Sequence, residues 1–184
     1  MAMATNPNGI SDSLRNQIRL LEQEKNTKQV SSQTLLELGR LYFYASVEEE
    51  SYIFRGEALF QKLTDDPELG STAKMYQATL LTLKAKHAFW PQDKLKLCNQ
   101  GLERMDQVVQ SAPNQLEVRF LRASTCYYLP FFFNRRQQAA ADFKVMLHLL
   151  PAAVGKYPKT LLRNICGFLK ETKLLQPADL TTLQ

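Results

Sequence analysis

Residues 115–151 read QLEVRFLRASTCYYLPFFFNRRQQAAADFKVMLHLLP, and this stretch decides the fold. Its first half places Leu116, Phe120, Ala123 and Tyr127 at three- and four-residue spacing, and its second half does the same with Ala139, Phe143, Met146 and Leu150. With about 3.6 residues per helical turn, that spacing returns each side chain to one face, so each half carries a single apolar stripe. Between the halves stands Pro130-Phe131-Phe132-Phe133-Asn134, which interrupts both stripes and predicts a turn. The stretch is a helical hairpin, closed by Pro151.

Two earlier segments repeat the plan. Ser31 or Ser32 opens a helix containing Leu35-x-x-Leu38-Gly39-x-x-Tyr42, and the acidic turn Glu48-Glu49-Glu50 precedes a second helix, about Ser51 to Thr64, with Ile53, Gly56, Phe60 and Leu63. Carboxylates there favour the positive end of the following helix dipole. Asp65-Asp66-Pro67 ends the pair. The next pair starts near Ser71 and runs through Met75, Ala78, Leu81 and Leu83 to about Phe89. Trp90-Pro91 breaks it, and Asp93 is expected to cap the partner helix, which continues through Leu97, Gly101, Met105 and Val108 to Ala112-Pro113. At the ends, Ser11 or Asp12 caps a helix to about Lys25 with Leu14, Ile18 and Leu21 on one face, and a segment from about Lys159 to Lys173 carries Leu161, Ile165, Phe168 and Leu169. Residues 1–10, small and polar, are expected to be disordered, and Gln176-Pro177-Ala178-Asp179 to open a short final turn.

The Leu-Gly-x-x-Tyr run at residues 38–42 resembles the tetratricopeptide repeat, whose signature begins Trp-x-x-Leu-Gly-x-x-Tyr and continues with Ala-x-x-x-Phe and a proline over about 34 residues. Leu35 replaces the leading tryptophan, and Gly56-x-x-x-Phe60, Gly101-x-x-x-Met105 and Ala139-x-x-x-Phe143 occupy the second-helix position of three units, about 31–67, 71–113 and 115–151. Pro67 to Pro113 spans 46 residues and Pro113 to Pro151 spans 38, so the units are irregular and their extra residues belong in the turn inside each hairpin. The resemblance covers about residues 31–151. It implies an all-α, right-handed α-solenoid of about three hairpins in one domain, residues 11–184. Helices before residue 31 and within 152–184 would cap the apolar end faces.

Composition agrees with a helical globular chain: 45% hydrophobic and 22% charged residues, with 7 glycines and 8 prolines concentrated between the apolar segments. The net charge of +5 is spread along the chain, and Arg135-Arg136 is only a pair, so no nucleic-acid tract is present. Cys98, Cys126 and Cys166 are odd in number, far apart and set among apolar residues, which argues against a disulfide framework or zinc site and for a reducing cytoplasmic setting. No run reaches the roughly 18 apolar residues of a membrane span.

Nothing in the sequence supports a reaction or a cofactor. His87 and His148 have no carboxylate at metal-ligand spacing, and no phosphate loop, Gly-x-Ser-x-Gly or His-Glu-x-x-His occurs. The expectation is a non-enzymatic adaptor that binds a protein or peptide partner. If the family geometry holds, Arg40, Phe43 and Tyr44, then Met75, Thr79 and Leu83, then Phe120, Ser124, Tyr127 and Tyr128 line the concave face, an aromatic groove suited to a helix or extended peptide. The inner-helix places where some family members grip a carboxylate hold Leu36, Arg40, Tyr76, Glu117 and Leu121, so that activity is not implied. The alternative surface is the hairpin edge, Phe89 and Trp90 with Phe131, Phe132 and Phe133, which would join a partner or a second copy in a homodimer.

Overall fold

The computed structural model describes residues 10–172, and the turn expected at 176–179 lies outside them. Among the described residues the chain is helical throughout, with no strand: α1 (Asp12–Thr27), α2 (Ser32–Ala45), α3 (Ser51–Gln61), α4 (Gly70–His87), α5 (Pro91–Ser111), α6 (Leu116–Tyr128), a 3-10 turn (Phe131–Phe133), α7 (Arg136–Leu149), a second 3-10 turn (Leu150–Ala153) and α8 (Lys159–Glu171). The chain separates into two compact units, divided between Val108 and Val109 inside α5.

In the N-terminal unit the helices start where side chains can satisfy their first amides. Ser11 Oγ accepts from Leu14 N at 3.3 Å and Ser31 Oγ from Thr34 N at 3.1 Å, as hydroxyl caps do. Before α4, Asp66 Oδ1 accepts from Leu69 N and Glu68 N, both at 3.0 Å. α5 departs from expectation: it begins at Pro91, and Asp93 lies in its first turn instead of capping it. Proline lacks an N–H and has its φ already set, so the first helical position suits it. Ile10, expected to be disordered, is buried with Ile18, Leu38, Tyr42, Ala45 and Leu59, and its carbonyl accepts from Arg15 Nε at 3.3 Å.

α1 is pinned through Glu22, which accepts from the Tyr42 hydroxyl at 2.6 Å and pairs with Arg55 of α3. Arg55 in turn lies 4.7 Å from the Tyr42 ring centre. Burial, then the bond to Glu22, pushes the Tyr42 phenol up from its ordinary pKa.

The α2–α3 pair closes over Gly39. A Cβ added there would sit 2.6 Å from Phe60 Cε1, and Phe60 cannot swing away because Tyr76 of α4 stacks on it at 4.7 Å with the planes 3° apart. Phe43 of α2 meets the same tyrosine edge-on at 5.2 Å. The α4–α5 pair makes its close approach from the other helix: a Cβ on Gly101 would lie 2.8 Å from the Ala78 carbonyl oxygen. The end of α4 is also tied back to the α2–α3 segment. Lys84 pairs with Glu57 at 2.7 Å, Lys86 Nζ donates to Val47 O at 2.6 Å, and the His87 ring lies 3.1 Å from Ser46 O.

The C-terminal unit is the predicted hairpin of α6 and α7 covered by α8. Asn134 adopts φ 52°, the left-handed conformation asparagine tolerates, and so ends the Phe131–Phe133 turn before α7. Leu161, Ile165, Phe168 and Leu169 form the buried stripe of α8, while Lys159, Arg163, Asn164 and Lys170 stay outside. That distribution is what an amphipathic end helix needs.

Candidate functional site

The sequence-predicted surface divides by burial. Arg40, Phe43, Met75, Thr79 and Phe120 are buried, Tyr44, Ser124 and Tyr127 half-buried, and only Tyr128 is well exposed, at 44%. Thr79 turns its hydroxyl back to Met75 O at 2.8 Å, the usual way a mid-helix threonine satisfies itself, and Ser124 does the same to Leu121 O at 3.2 Å. α4 is covered around most of its circumference, since Thr72, Ala73, Met75, Tyr76, Ala78, Thr79 and Leu80 are all buried. A helix enclosed in this way has no broad open face to present.

Phe168 of α8 explains the state of the α6 residues. Its ring meets Phe120 at 5.7 Å, Tyr127 at 5.8 Å and Tyr128 at 6.0 Å, and Phe143 of α7 at 5.2 Å. Phe120 is thereby covered, while Tyr128, standing edge-on to Tyr127 at 5.1 Å, keeps part of its ring at the surface. These are the offset and edge-to-face geometries aromatic quadrupoles prefer.

The two units share this ring arrangement. In the N-terminal unit Phe43 and Phe60, from the two helices of the hairpin, meet Tyr76 of the helix that follows. In the C-terminal unit Tyr127 and Phe143 meet Phe168 in the same sense. Phe43 stands four residues after Gly39 and Tyr127 four after Ala123, and each is followed by a tyrosine held edge-on: Tyr44 at 5.5 Å and Tyr128 at 5.1 Å.

Four of the five edge aromatics are exposed, as is Phe54 of α3 at 60%. At the α6–α7 turn Phe131 is 88% and Phe132 64% exposed, with Phe133 half-buried. At the α4–α5 turn Phe89 is 82% and Trp90 57% exposed.

Sequence reasoning missed the buried ion cluster that joins α6 to α7. Asp142 is fully enclosed; its Oδ1 accepts from Arg119 Nη1 at 2.7 Å and Arg122 Nη2 at 2.8 Å, and its Oδ2 from Arg122 Nε at 2.8 Å. Arg119 Nε also donates to Pro113 O at 2.7 Å. A signal for it was present: Ala139, Asp142, Phe143 and Met146 share one helical stripe, and a carboxylate on a buried stripe needs cationic partners.

Among the described residues no group of three or more His, Cys, Asp or Glu side chains could hold a metal ion, and no helix is long and apolar enough to cross a membrane. Cys98, Cys126 and Cys166 are free thiols. No protein-family model, no curated protein and no solved structure matches the chain.

Proposed function

We propose that the chain is a tetratricopeptide-like helical-repeat protein that acts as a non-enzymatic adaptor, binding a peptide or helix of a partner protein through the outward tyrosines of its hairpins. One observation carries the reading. In both units the position five residues after the small contact residue is a tyrosine, Tyr44 after Gly39 and Tyr128 after Ala123, each braced edge-on by the ring before it. A braced tyrosine offers a large contact area and a polar tip with little rotamer freedom left to lose. Ser124 and Tyr127 adjoin Tyr128 on α6, while Arg40, Phe43, Met75, Thr79 and Phe120 serve packing. The recurrence of the ring arrangement supports the repeat assignment, and the free thiols fit the reducing cytoplasm in which we place the protein.

The test is a partner captured by the wild-type chain, with its affinity then measured for Tyr44→Ala, Tyr128→Ala and Phe132→Ala. Truncating a tyrosine anchor is expected to cost about 2 kcal/mol or more, with Phe132→Ala unchanged. Loss confined to Phe132→Ala would move the contact to the hairpin edge, and three unchanged affinities would remove both surfaces.

A further inference from the structure

Phe131 and Phe132 stand in the turn of the α6–α7 hairpin, their rings 88% and 64% exposed. Cations stand next to them. Arg135 is half-buried, Arg136 is exposed, and the Arg136 guanidinium lies 5.9 Å from the Tyr127 ring centre, which holds it on the turn side of α6. From Val118 to Ala141 the sequence contains four arginines and no Asp or Glu, and Arg119 and Arg122 pair with Asp142. The turn segment, residues 130–136, therefore combines exposed apolar rings with positive charge and carries no Asp or Glu of its own.

We propose that the α6–α7 turn docks peripherally on an anionic lipid surface, with Phe131 and Phe132 entering the headgroup region and Arg135 and Arg136 against acidic headgroups. Charge complementarity selects the sign of the surface. The exposure of both rings selects its kind, because a peptide partner needs a groove, face or sheet edge to lie in, whereas exposed rings enter a fluid interface without a preformed pocket. The α4–α5 turn has exposed Phe89, Trp90, Lys94 and Lys96 but places Asp93 among them, so the cleaner combination is the one at Phe131.

The test is co-sedimentation of the full chain with vesicles of phosphatidylcholine alone or phosphatidylcholine with phosphatidylserine. Binding is expected only to the anionic vesicles, weakening with salt. F131S/F132S and R135Q/R136Q should each lose roughly tenfold or more. V154S, which alters an exposed apolar residue beyond the far end of α7, should bind as the wild type does. Circular dichroism checks that each variant keeps its helices, with F131S and R136Q as single replacements should a double variant lose them. Absence of binding to anionic vesicles, equal binding to neutral ones, or binding indifferent to both pairs of substitutions would overturn the proposal. A dimer in light scattering that F131S/F132S dissolves, without vesicle binding, would assign the surface to a second copy instead.

Discussion

The two units hold the same ring arrangement in two different ways. In the N-terminal unit α2 and α3 approach over a glycine, and the ring that closes the pair, Tyr76, lies flat on Phe60 at 4.7 Å. In the C-terminal unit the corresponding small residue is Ala123, and Phe168 meets its neighbours tilted or edge-on at 5.2 to 6.0 Å. There α6 and α7 are joined instead by the Asp142 carboxylate between Arg119 and Arg122. One hairpin is fixed by exclusion of volume and the other by buried charge. The two hairpins thus bring rings from three successive helices together while differing in what sets the helix approach.

The largest effect should come from the charged anchor. Asp142→Ala leaves two guanidinium groups, each largely buried, facing a void where their shared acceptor stood. Breaking a buried pair in this way costs about 3–5 kcal/mol, read as a lowered urea midpoint for the transition that reports on the C-terminal unit. Near-wild-type stability would show that charge does not hold this hairpin.

The steric anchor ranks next. Gly39→Leu should cost about 1–3 kcal/mol by overpacking, because even the first added carbon would collide with a Phe60 ring trapped by Tyr76. Gly56→Ala sharpens the contrast: the nearest atom to its added Cβ is Leu80 Cδ1 at 3.3 Å, so a small shift of a flexible side chain suffices. Its melting temperature should stay close to that of the wild type. Equal losses from the two substitutions would mean that the approach at Gly39 is no tighter than the one at Gly56.

The smallest effect concerns acid. The backbone amides of Leu69 and Glu68, with the Ser32 side chain, hold the Asp66 carboxyl below its usual range. A carboxyl with a lowered folded-state pKa contributes stability above its unfolded value, and that contribution disappears as pH falls through the folded value. Asp66→Ala should therefore lower the melting temperature slightly at neutral pH and narrow the gap to the wild type in strong acid. A gap that widens on acidification would contradict this assignment.

Much of the helical layout was legible because its signals are local. Ser11 and Ser31, each one of two cap candidates, make the capping bond, Phe60 and Phe143 occupy buried positions, and Pro67, Pro113 and Pro130 lie between helices. Trp90-Pro91 can be either a stop or a first helical residue, and only packing decides that Pro91 opens α5. The candidate surface was less legible. Helix periodicity locates one apolar face, but α4 is covered on more than one side, so Met75 and Thr79 read as accessible when they are enclosed. Phe168 appeared only as one member of an apolar stripe, and its role against four rings depends on contacts some 25 to 48 residues away in sequence. Asp142 stands out as a carboxylate on a buried stripe, but its partners lie on another helix and periodicity does not name them.

Tyr76 stacks against α3 from the same helix that receives Gly101 of α5, so α4 cannot leave without opening both of its neighbours at once. Amide hydrogens in the middle of α4 can then reach deuterium only when the N-terminal unit opens as a block. Those of α8 need only the release of one buried stripe. Exchange protection would therefore be graded along the chain, with α4 marking the most cooperative segment and α8 the one that breathes on its own.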